Sequence, residues 1–418
     1  MADVKISELP VASGVTPDDL FVIVDDPTGT PVTKRVAASA ILAEPEEQLN
    51  PPGMARLVTV QDSGTVSLSA LSTTGYIAAL WWDGSVQVFG SGSAGSDVTV
   101  SKSVPSSGNW SKSAPKEIFI WSCTAGNATQ SGDLTGLDCW DTAITSLNVS
   151  GLTALTTLYC WGTAIASLNV SGLTALTTLY CNGCTAITSL NVSGCTALTT
   201  LYCGGNTALT SLNVSGLTAL TTLDCGGNTA LTSLNVSGLT ALTGLYCNGC
   251  TALTSLNVSG LTALTTLDCW GTAIASLNVS GLTALVELHC HSTGSLASLN
   301  VSGCTALTEL QCGGTSIASL NVSGLTALTT LYCGGCTSLT SLRAVGVAPS
   351  GYGNASATTG YVNISVFNAN LSAAALNQLY TDLGTVTYAA TIGVAGNPGT
   401  ASDDPTIATA KGYTVYGS

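Results

Sequence analysis

The stretch LTALTTLDCGGNTALTSLNVSGL, residues 217–239, decides the fold of this 418-residue chain. Close copies of it recur along the sequence, and most copies carry a cysteine at the same place. A fixed period of this length predicts a solenoid, in which each turn stacks on its neighbours and cannot fold alone. The ten ladder cysteines, 21 or 22 residues apart, are Cys139, Cys160, Cys181, Cys203, Cys225, Cys247, Cys269, Cys290, Cys312 and Cys333.

Each copy contains two half-units of the form L-x-x-L-x-[LVC], at residues 220–225 and 231–236 in the quoted stretch. The two-residue spacing of Leu223 and Cys225 places both side chains on one face of a short strand and Asp224 on the other. The pattern therefore predicts two strands in each turn, one in each of two parallel sheets. Ten turns at ~4.8 Å per turn would give a mainly β rod of roughly 45–50 Å.

Departures from the repeat divide the chain into further parts. FVIVDD and VTKRVAAS, near the N-terminus, are typical of short strands, and Asp83-Gly84 lies between two alternating runs as a hairpin signal. The pattern over 371–383 predicts a helix with Ser372 as its N-cap. The expected organisation is a separate segment at 1–45, a linker at 46–56, a β domain at 57–122, the solenoid at 123–343 and an α/β C-terminal cap at 344–418.

The charge balance excludes several classes of function. The chain has nine Lys and Arg against 23 Asp and Glu, a net charge of −14, with no cation between Lys116 and Arg343. Nucleic-acid binding requires clustered cations, and anionic membrane surfaces attract the same residues, so both roles are disfavoured. No apolar run is as long as a membrane helix, and MADVKISELP lacks the pattern of a secretory signal, so we expect synthesis in a cytosol.

All sixteen cysteines except Cys123 follow the repeat. Their apolar positions predict small buried thiols. Stacking brings ladder cysteines within ~5 Å of one another, which leaves an occasional disulfide open. CNGC occurs at 181–184 and 247–250, but not in the matched-loop arrangement that binds zinc, which disfavours a metal array. Three further cysteines, Cys184, Cys250 and Cys336, occupy the turn position that holds Asn206 or Asn228 in other copies.

The doubled L-x-x-L-x-L pattern resembles the leucine-rich-repeat family in its bacterial and phage form. The resemblance covers residues 123–343 and implies a leucine-rich-repeat solenoid closed by a terminal cap. This chain departs from the family pattern where Cys replaces the third Leu. The turn Asn appears only at Asn206 and Asn228, so Thr or backbone hydrogen bonds are expected to hold most other turns.

The segment KISELPVASGVTPDDLFVIVDDPTGTPVTKRVAASAI, residues 5–41, is similar to the N-termini of tailed-phage tail-fibre and other virion proteins, including those of cyanophages. The resemblance implies that residues 1–45 attach the chain to other virion proteins while the repeats meet the host. It implies a virion location after synthesis in the host cytoplasm. A homotrimer, common among fibres, stays open because the repeat can bury its own core.

Variation between the copies is concentrated beside the ladder cysteines, at the residues just before and just after each one. Confined variation indicates a binding face, and Tyr and Trp beside Asp and Asn suit a sugar ligand. The alternative is that these aromatics only stabilise packing between strands. The proposed receptor-binding residues are Trp140, Tyr159, Trp161, Tyr180, Tyr202, Tyr246, Trp270, His289 and His291.

The only two histidines, His289 and His291, share a face with Asp268, Glu287, Glu309 and Gln311. Three interpretations of this group stay open. They are a divalent-metal site, a local receptor patch and ordinary surface variation. The two glutamates could pair as catalytic carboxylates, but an exposed face lacks the burial that raises a pKa. With no phosphate loop or nucleophile elbow in the sequence, we expect no enzyme and no cofactor.

The sequence therefore predicts a phage virion structural protein, in the first place a tail fibre that binds a host-surface glycan through the solenoid. A capsid decoration or tail collar protein without a receptor role is one alternative. A bacterial surface adhesin is another.

Overall fold

The computed structural model describes residues 19–25, 31–37, 54–59, 64–72, 76–81, 86–90, 97–104, 116–124, 127–130, 133–349, 363–387 and 390–418. The chain forms two compact units, Met1–Pro51 and Pro52–Ser418. In the first unit, β1 (Asp19–Asp25) and β2 (Pro31–Ala37) pair antiparallel, which confirms the two strands expected there. The NPPG sequence of the expected linker lies outside the described residues, and the domain boundaries stay predictions.

A β domain opens the second unit, and its strands pair antiparallel. These strands are β3 (Met54–Thr59), β4 (Gly64–Ser72), β5 (Tyr76–Leu80), β6 (Val86–Gly90), β7 (Val98–Val104), β8 (Lys116–Thr124) and β9 (Asn127–Gln130). Strands β5 and β6 form the predicted hairpin, although Asp83 and Gly84 themselves lie outside the described residues. Leu57, Ile77 and Ile118 are fully buried, so the domain has its own apolar layer.

The solenoid consists of very short strands. In chain order they are β10 (Leu134–Asp138), β11 (Ile144–Asn148), β12 (Thr157–Tyr159), β13 (Ser167–Asn169), β14 (Thr178–Tyr180), β15 (Ser189–Asn191), β16 (Thr200–Tyr202), β17 (Leu212–Asn213), β18 (Thr222–Asp224), β19 (Leu234–Asn235), β20 (Gly244–Tyr246), β21 (Thr266–Asp268), β22 (Ser276–Asn278), β23 (Glu287–His289), β24 (Ser298–Asn300), β25 (Glu309–Gln311), β26 (Ser319–Asn321), β27 (Thr330–Tyr332) and β28 (Ser341–Arg343).

The strands that precede the ladder cysteines form one long parallel sheet, in which each strand pairs in register with the next. Strands β4 and β7 of the β domain continue this sheet beyond the first rung. The opposite strands form only short pieces of two to four strands, apart from β11, which joins the sheet of the β domain. The prediction of a leucine-rich-repeat solenoid with two sets of parallel strands is confirmed, with a continuous first sheet and an interrupted second one.

Leucine and cysteine side chains fill the interior of every rung, and the ladder cysteines from Cys139 to Cys333 are at most 1% exposed. Fifteen cysteines are free and buried in the described structure, as the sequence indicates. Burial raises the pKa of the Cys160, Cys181 and Cys290 thiols well above the ordinary value, and neighbouring thiols add to the effect. For Cys269 burial raises the pKa to about 12.

We predict that these thiols are inert in the folded protein. Only the thiolate reacts with iodoacetamide, so labelling of Cys269 at pH 8 should be about a thousand-fold slower than for an unperturbed cysteine, and burial shields the other described thiols from the reagent. Intact mass spectrometry should find at most one adduct, on Cys123, which this prediction does not cover, and sixteen adducts in denaturant. Rapid labelling of several thiols before unfolding would contradict the buried ladder.

The turn after each ladder cysteine is closed by a side chain that donates to a ladder carbonyl. Asn206 Nδ2 donates to Cys203 O at 3.0 Å, and Thr163 Oγ1 donates to Cys160 O at 2.8 Å. The Cys184 thiol also donates to Cys160 O, at 3.0 Å. The expectation that Thr holds other turns is confirmed, and the turn cysteines have the same role.

The C-terminal cap extends the long sheet with β29 (Ile364–Ser365), β30 (Ala390–Gly393) and β31 (Tyr413–Tyr416). Two helices accompany these strands, α1 (Ala373–Asp382) and α2 (Thr406–Thr409). Ser372 is the N-cap of α1, as predicted, and accepts a hydrogen bond from the Ala375 amide. None of the helices in the described part of the chain has the length and apolar character needed to cross a membrane.

An ion pair fastens α1 to the last rung of the solenoid. Arg343 Nε donates to Asp382 Oδ2 at 2.6 Å, and the Asp382 side chain is only 4% exposed. Burial alone would raise the pKa of Asp382, but hydrogen bonds from Arg343, Gln378 and the Ala344 amide outweigh it and hold the pKa below its ordinary value. The carboxylate therefore stays charged at neutral pH and binds the cap to the solenoid.

Candidate ligand-binding face

The side chains that flank the ladder cysteines point outward from the long sheet, and we call this surface the variable face. The column before the cysteines follows the strand register. It contains Asp138, Tyr159, Tyr180, Tyr202, Asp224, Tyr246, Asp268, His289, Gln311 and Tyr332. The column after the cysteines contains Trp140, Trp161, Asn182, Gly204, Gly226, Asn248, Trp270, His291, Gly313 and Gly334.

Three of the proposed tyrosines form one continuous cluster. The rings of Tyr159 and Tyr180 are 4.9 Å apart and tilted by 55°, and those of Tyr180 and Tyr202 are 4.5 Å apart and nearly perpendicular. Each such pair contributes roughly 0.5–1.5 kcal/mol beyond its buried area. The cluster therefore stabilises the sheet, and the packing and binding interpretations apply to the same residues.

Two further pairs of rings stack across neighbouring rungs in the column after the cysteines. Trp140 and Trp161 are 4.6 Å apart with an angle of 8° between their planes. Trp270 and His291 are 5.6 Å apart at 13°. Trp140 is 46% exposed and Trp270 is 37% exposed, which is unusual for tryptophan and leaves apolar surface available to a ligand.

Tyr246 stands apart from the tyrosine cluster because Asp224 occupies the rung between it and Tyr202. Its ring leans over Gly244, where a methyl group would lie 3.0 Å from a ring carbon. Burial raises the pKa of the Tyr246 hydroxyl, and the neighbouring Tyr202 adds to that effect, so the hydroxyl stays protonated and can donate to a ligand.

The aspartates of the variable face have a structural role as well as a charge. Asp138 Oδ1 accepts from the Trp140 amide at 3.2 Å, and Asp224 Oδ1 accepts from the Gly226 amide at 2.9 Å. These are local turns in which a side chain bonds the backbone two residues later. Burial raises the pKa of Asp138, Asp224 and Asp268.

The residues grouped in the sequence analysis lie together, and we call them the histidine patch. They are Asp268, Glu287, His289, His291, Glu309 and Gln311. Asp268 and His289 are register partners, and His289 Nε2 lies 3.4 Å from Glu309 Oε1. His289 Nε2 makes no hydrogen bond to any described residue. Burial lowers the pKa of His291, as does the neighbouring His289.

Two side-chain nitrogens and one carboxylate oxygen lie within the histidine patch without a hydrogen bond to any described residue. They are His289 Nε2, His291 Nδ1 and Asp268 Oδ1. Across the described residues, however, no three His, Cys, Asp or Glu side chains are grouped so that they could hold a metal ion. The geometry therefore does not support the interpretation of the patch as a metal site.

One exposed residue of the same column is missing from the nine proposed residues. Tyr332 is 43% exposed and stands in register with Gln311. Its position immediately before Cys333 is the sequence signal that identifies it. Asn182 and Asn248 can be found in the same way from the column after the cysteines, and both are half-buried on the variable face.

No family model and no curated protein matches the sequence. Among solved structures, the chain is similar to the functional domain of InlJ from Listeria monocytogenes, which includes a cysteine ladder. The identity is 27%, the TM-score is 0.35, and the match covers 62% of this chain and 64% of that one. An internalin, InlF, from the same organism is 21% identical with a TM-score of 0.38, over 68% of this chain and 87% of that one.

The rungs themselves identify the chain as a leucine-rich-repeat solenoid. A solenoid of this kind presents an extended, regular surface. Glu287 and Glu309, the one carboxylate pair considered for catalysis, are register partners on the open sheet.

Proposed function

We propose that the protein is a receptor-binding scaffold whose variable face holds a ligand on a host cell surface. One observation carries the proposal. The exposed residues of the variable face differ from rung to rung, whereas the opposite strands expose the same Ser and Asn in almost every rung, as in the pairs Ser167 and Ser189 or Asn169 and Asn191.

Random drift does not explain this contrast. Exposed positions tolerate substitution with effects usually within about 0.5 kcal/mol, so drift would alter both faces. The Asn column is held in part by hydrogen bonds such as that from the Ser193 amide to Asn191 Oδ1. The exposed Ser189 side chain has no comparable bond to any described residue, yet serine is kept there too. Selection for a ligand on one face accounts for the difference.

The proposal extends to a virion location, which the resemblance of residues 5–41 to tail-fibre N-termini supports. In this form residues 1–45 attach the chain to other virion proteins, and the solenoid reaches the host. Immunogold labelling of purified virions tests it, with label expected on the fibres. Label on the head or collar would favour a decoration protein, and label on bacterial cells alone would favour a surface adhesin.

Host-cell binding tests the receptor role. The full chain and a Tyr159→Ala/Tyr180→Ala/Tyr202→Ala variant are titrated onto intact candidate host cells. We expect the variant to bind at least about 10-fold more weakly, since buried aromatic side chains dominate interface energies. A thermal unfolding curve for each protein separates lost binding from lost structure.

The matched control is a triple alanine variant of the opposite strands, at Ser189, Ser211 and Ser233, which should bind like the unaltered chain. Equal loss in both triple variants would sink the assignment to the variable face. An unaltered chain that binds none of the cells recognised by its own virus or bacterium would sink the receptor role.

A further inference from the structure

In the column after the ladder cysteines, six successive rungs carry a symmetric series of residue types: Trp, Asn, Gly, Gly, Asn and Trp. Backbone hydrogen bonds join its rungs in strict succession, from Gly162 N to Asn182 O at 2.9 Å through to Gly249 N to Trp270 O at 2.8 Å. Five steps of ~4.8 Å place the two ends ~24 Å apart. The six residues of this interval, which we call the trough, are Trp161, Asn182, Gly204, Gly226, Asn248 and Trp270.

Each end of the trough is a tryptophan that stacks on an aromatic ring of the rung outside the trough. Trp161 and Trp140 stack almost parallel at about the rung spacing, so their ring planes lie across the solenoid axis. Trp161 therefore turns its second face along the axis, toward the rung of Asn182. Trp270 stacks on His291 in the same manner and turns its second face toward the rung of Asn248. The second faces of the two tryptophans are therefore directed toward each other along the column.

The floor of the trough consists of the backbone of Gly204 and Gly226, and polar side-chain atoms of the next rung lie close to it. A methyl group on Gly204 would lie 3.1 Å from Asp224 Oδ1, and one on Gly226 would lie 2.7 Å from Asn248 Oδ1. The two glycines therefore leave room for a carboxylate and an amide to lie across the floor. These oxygens are hydrogen-bond acceptors suited to hydroxyl groups.

The wall along the preceding column supplies aromatic and hydroxyl groups. It consists of Tyr180 and Tyr202 on one side of Asp224 and Tyr246 on the other. The charge around the trough is negative throughout, because Asp224, Asp268 and Glu287 lie in or near it and the chain has no Lys or Arg from residue 117 to 342. Anionic ligands are repelled from such a surface.

We propose that the trough binds a linear, uncharged glycan laid along the solenoid axis, with its sugar faces against Trp161 and Trp270. The inference rests on the proposed receptor function and names the class of ligand for it. Aromatic faces receive the C–H surfaces of sugar rings, and the acceptors of the floor receive their hydroxyl groups.

A peptide is the less suitable occupant. Extended peptides bind by adding a strand to an unpaired sheet edge. The trough lies on the face of the sheet, where the backbone groups of each rung already bond to the next rung. Between Asn182 and Asn248 this column contains only Gly204 and Gly226, which have no side chains to contact those of a peptide.

The test is binding of the full chain to an array of neutral, uronate-containing and amino oligosaccharides of two to eight sugars. We expect neutral chains to bind, with affinity that rises with length until the trough is filled. Trp161→Ala and Trp270→Ala should each weaken the best ligand about 10-fold, as expected for aromatic anchors. Gly226→Ser, which places a side chain on the floor, should weaken it as well.

Thr210→Ala, on the opposite exposed face, is the matched control and should leave binding unchanged. Preference for acidic sugars, binding of peptides alone, or affinity that is independent of both tryptophans would overturn the trough. Those results would leave the receptor function intact if the tyrosine variant still loses cell binding. Glycan binding by a chain that binds no cells would instead contradict the receptor function and leave the trough standing.

Discussion

Replacement of Leu223 by alanine is expected to lower the free energy of unfolding by about 3–4 kcal/mol. Leu223 is fully buried and stands in register between Leu201 and Leu245. The rungs on both sides are held at a fixed spacing by backbone hydrogen bonds, so the neighbours cannot collapse into the space that the side chain leaves. Urea unfolding followed by circular dichroism gives the measurement.

Thr222→Ala is the matched control for this substitution, because Thr222 is the outward neighbour of Leu223 in the same strand and is half-buried. Thr222→Ala should lower the free energy of unfolding by less than about 1 kcal/mol. Equal destabilisation by the two variants would contradict the assignment of Leu223 to the interior and of Thr222 to the surface.

Replacement of Asn228 by alanine should cost about 2–4 kcal/mol, since it breaks two hydrogen bonds inside the solenoid. Asn228 Nδ2 donates to Cys203 O at 3.1 Å, and its Oδ1 accepts from the Asn206 amide at 2.7 Å. The alanine leaves the buried Asn206 amide without its partner and removes one of the two side-chain donors to the Cys203 carbonyl, which keeps Asn206 Nδ2. Thermal and urea unfolding of the variant measure the loss.

Asn248→Ala is the contrasting variant, because Asn248 lies on the variable face. This substitution should lower the free energy of unfolding by less than about 0.5 kcal/mol. Asn228→Cys should recover part of the loss, since Cys250 donates to a ladder carbonyl from the same turn position. If cysteine and alanine at 228 proved equally destabilising, the shared role of Asn, Thr and Cys in these turns would be wrong.

The sequence is sufficient for the solenoid because its period, apolar positions and turn residues all agree. The buried thiols follow from the two-residue spacing of Leu223 and Cys225, and the first cap helix follows from its apolar pattern and Ser372. The continuation of the long sheet into β4 and β31 could not be predicted, since pairing at the two ends depends on segments that lie outside the repeat. The repeat likewise gives no sign that the opposite strands pair only in short groups.

The candidate site was predictable as a set of positions but not as a geometry. Variation beside the ladder cysteines identifies the two columns without any coordinates. The orientation of Trp161 depends on its stacking with Trp140, and the floor at Gly226 depends on where the Asn248 side chain lies. Both are contacts between rungs, which a sequence pattern does not specify. The symmetry of the trough becomes meaningful only when these ring faces are known.

Hydroxyl-radical footprinting of the full chain bound to host cells tests most directly whether the variable face is the ligand face. A ligand on that face predicts protection of Trp161, Tyr180, Tyr202 and Trp270 relative to the free protein. Tyr416, exposed in the last cap strand, should be oxidised equally in both states. Protection of Tyr416 with unchanged oxidation of the variable face would contradict the proposal and place the ligand on the cap.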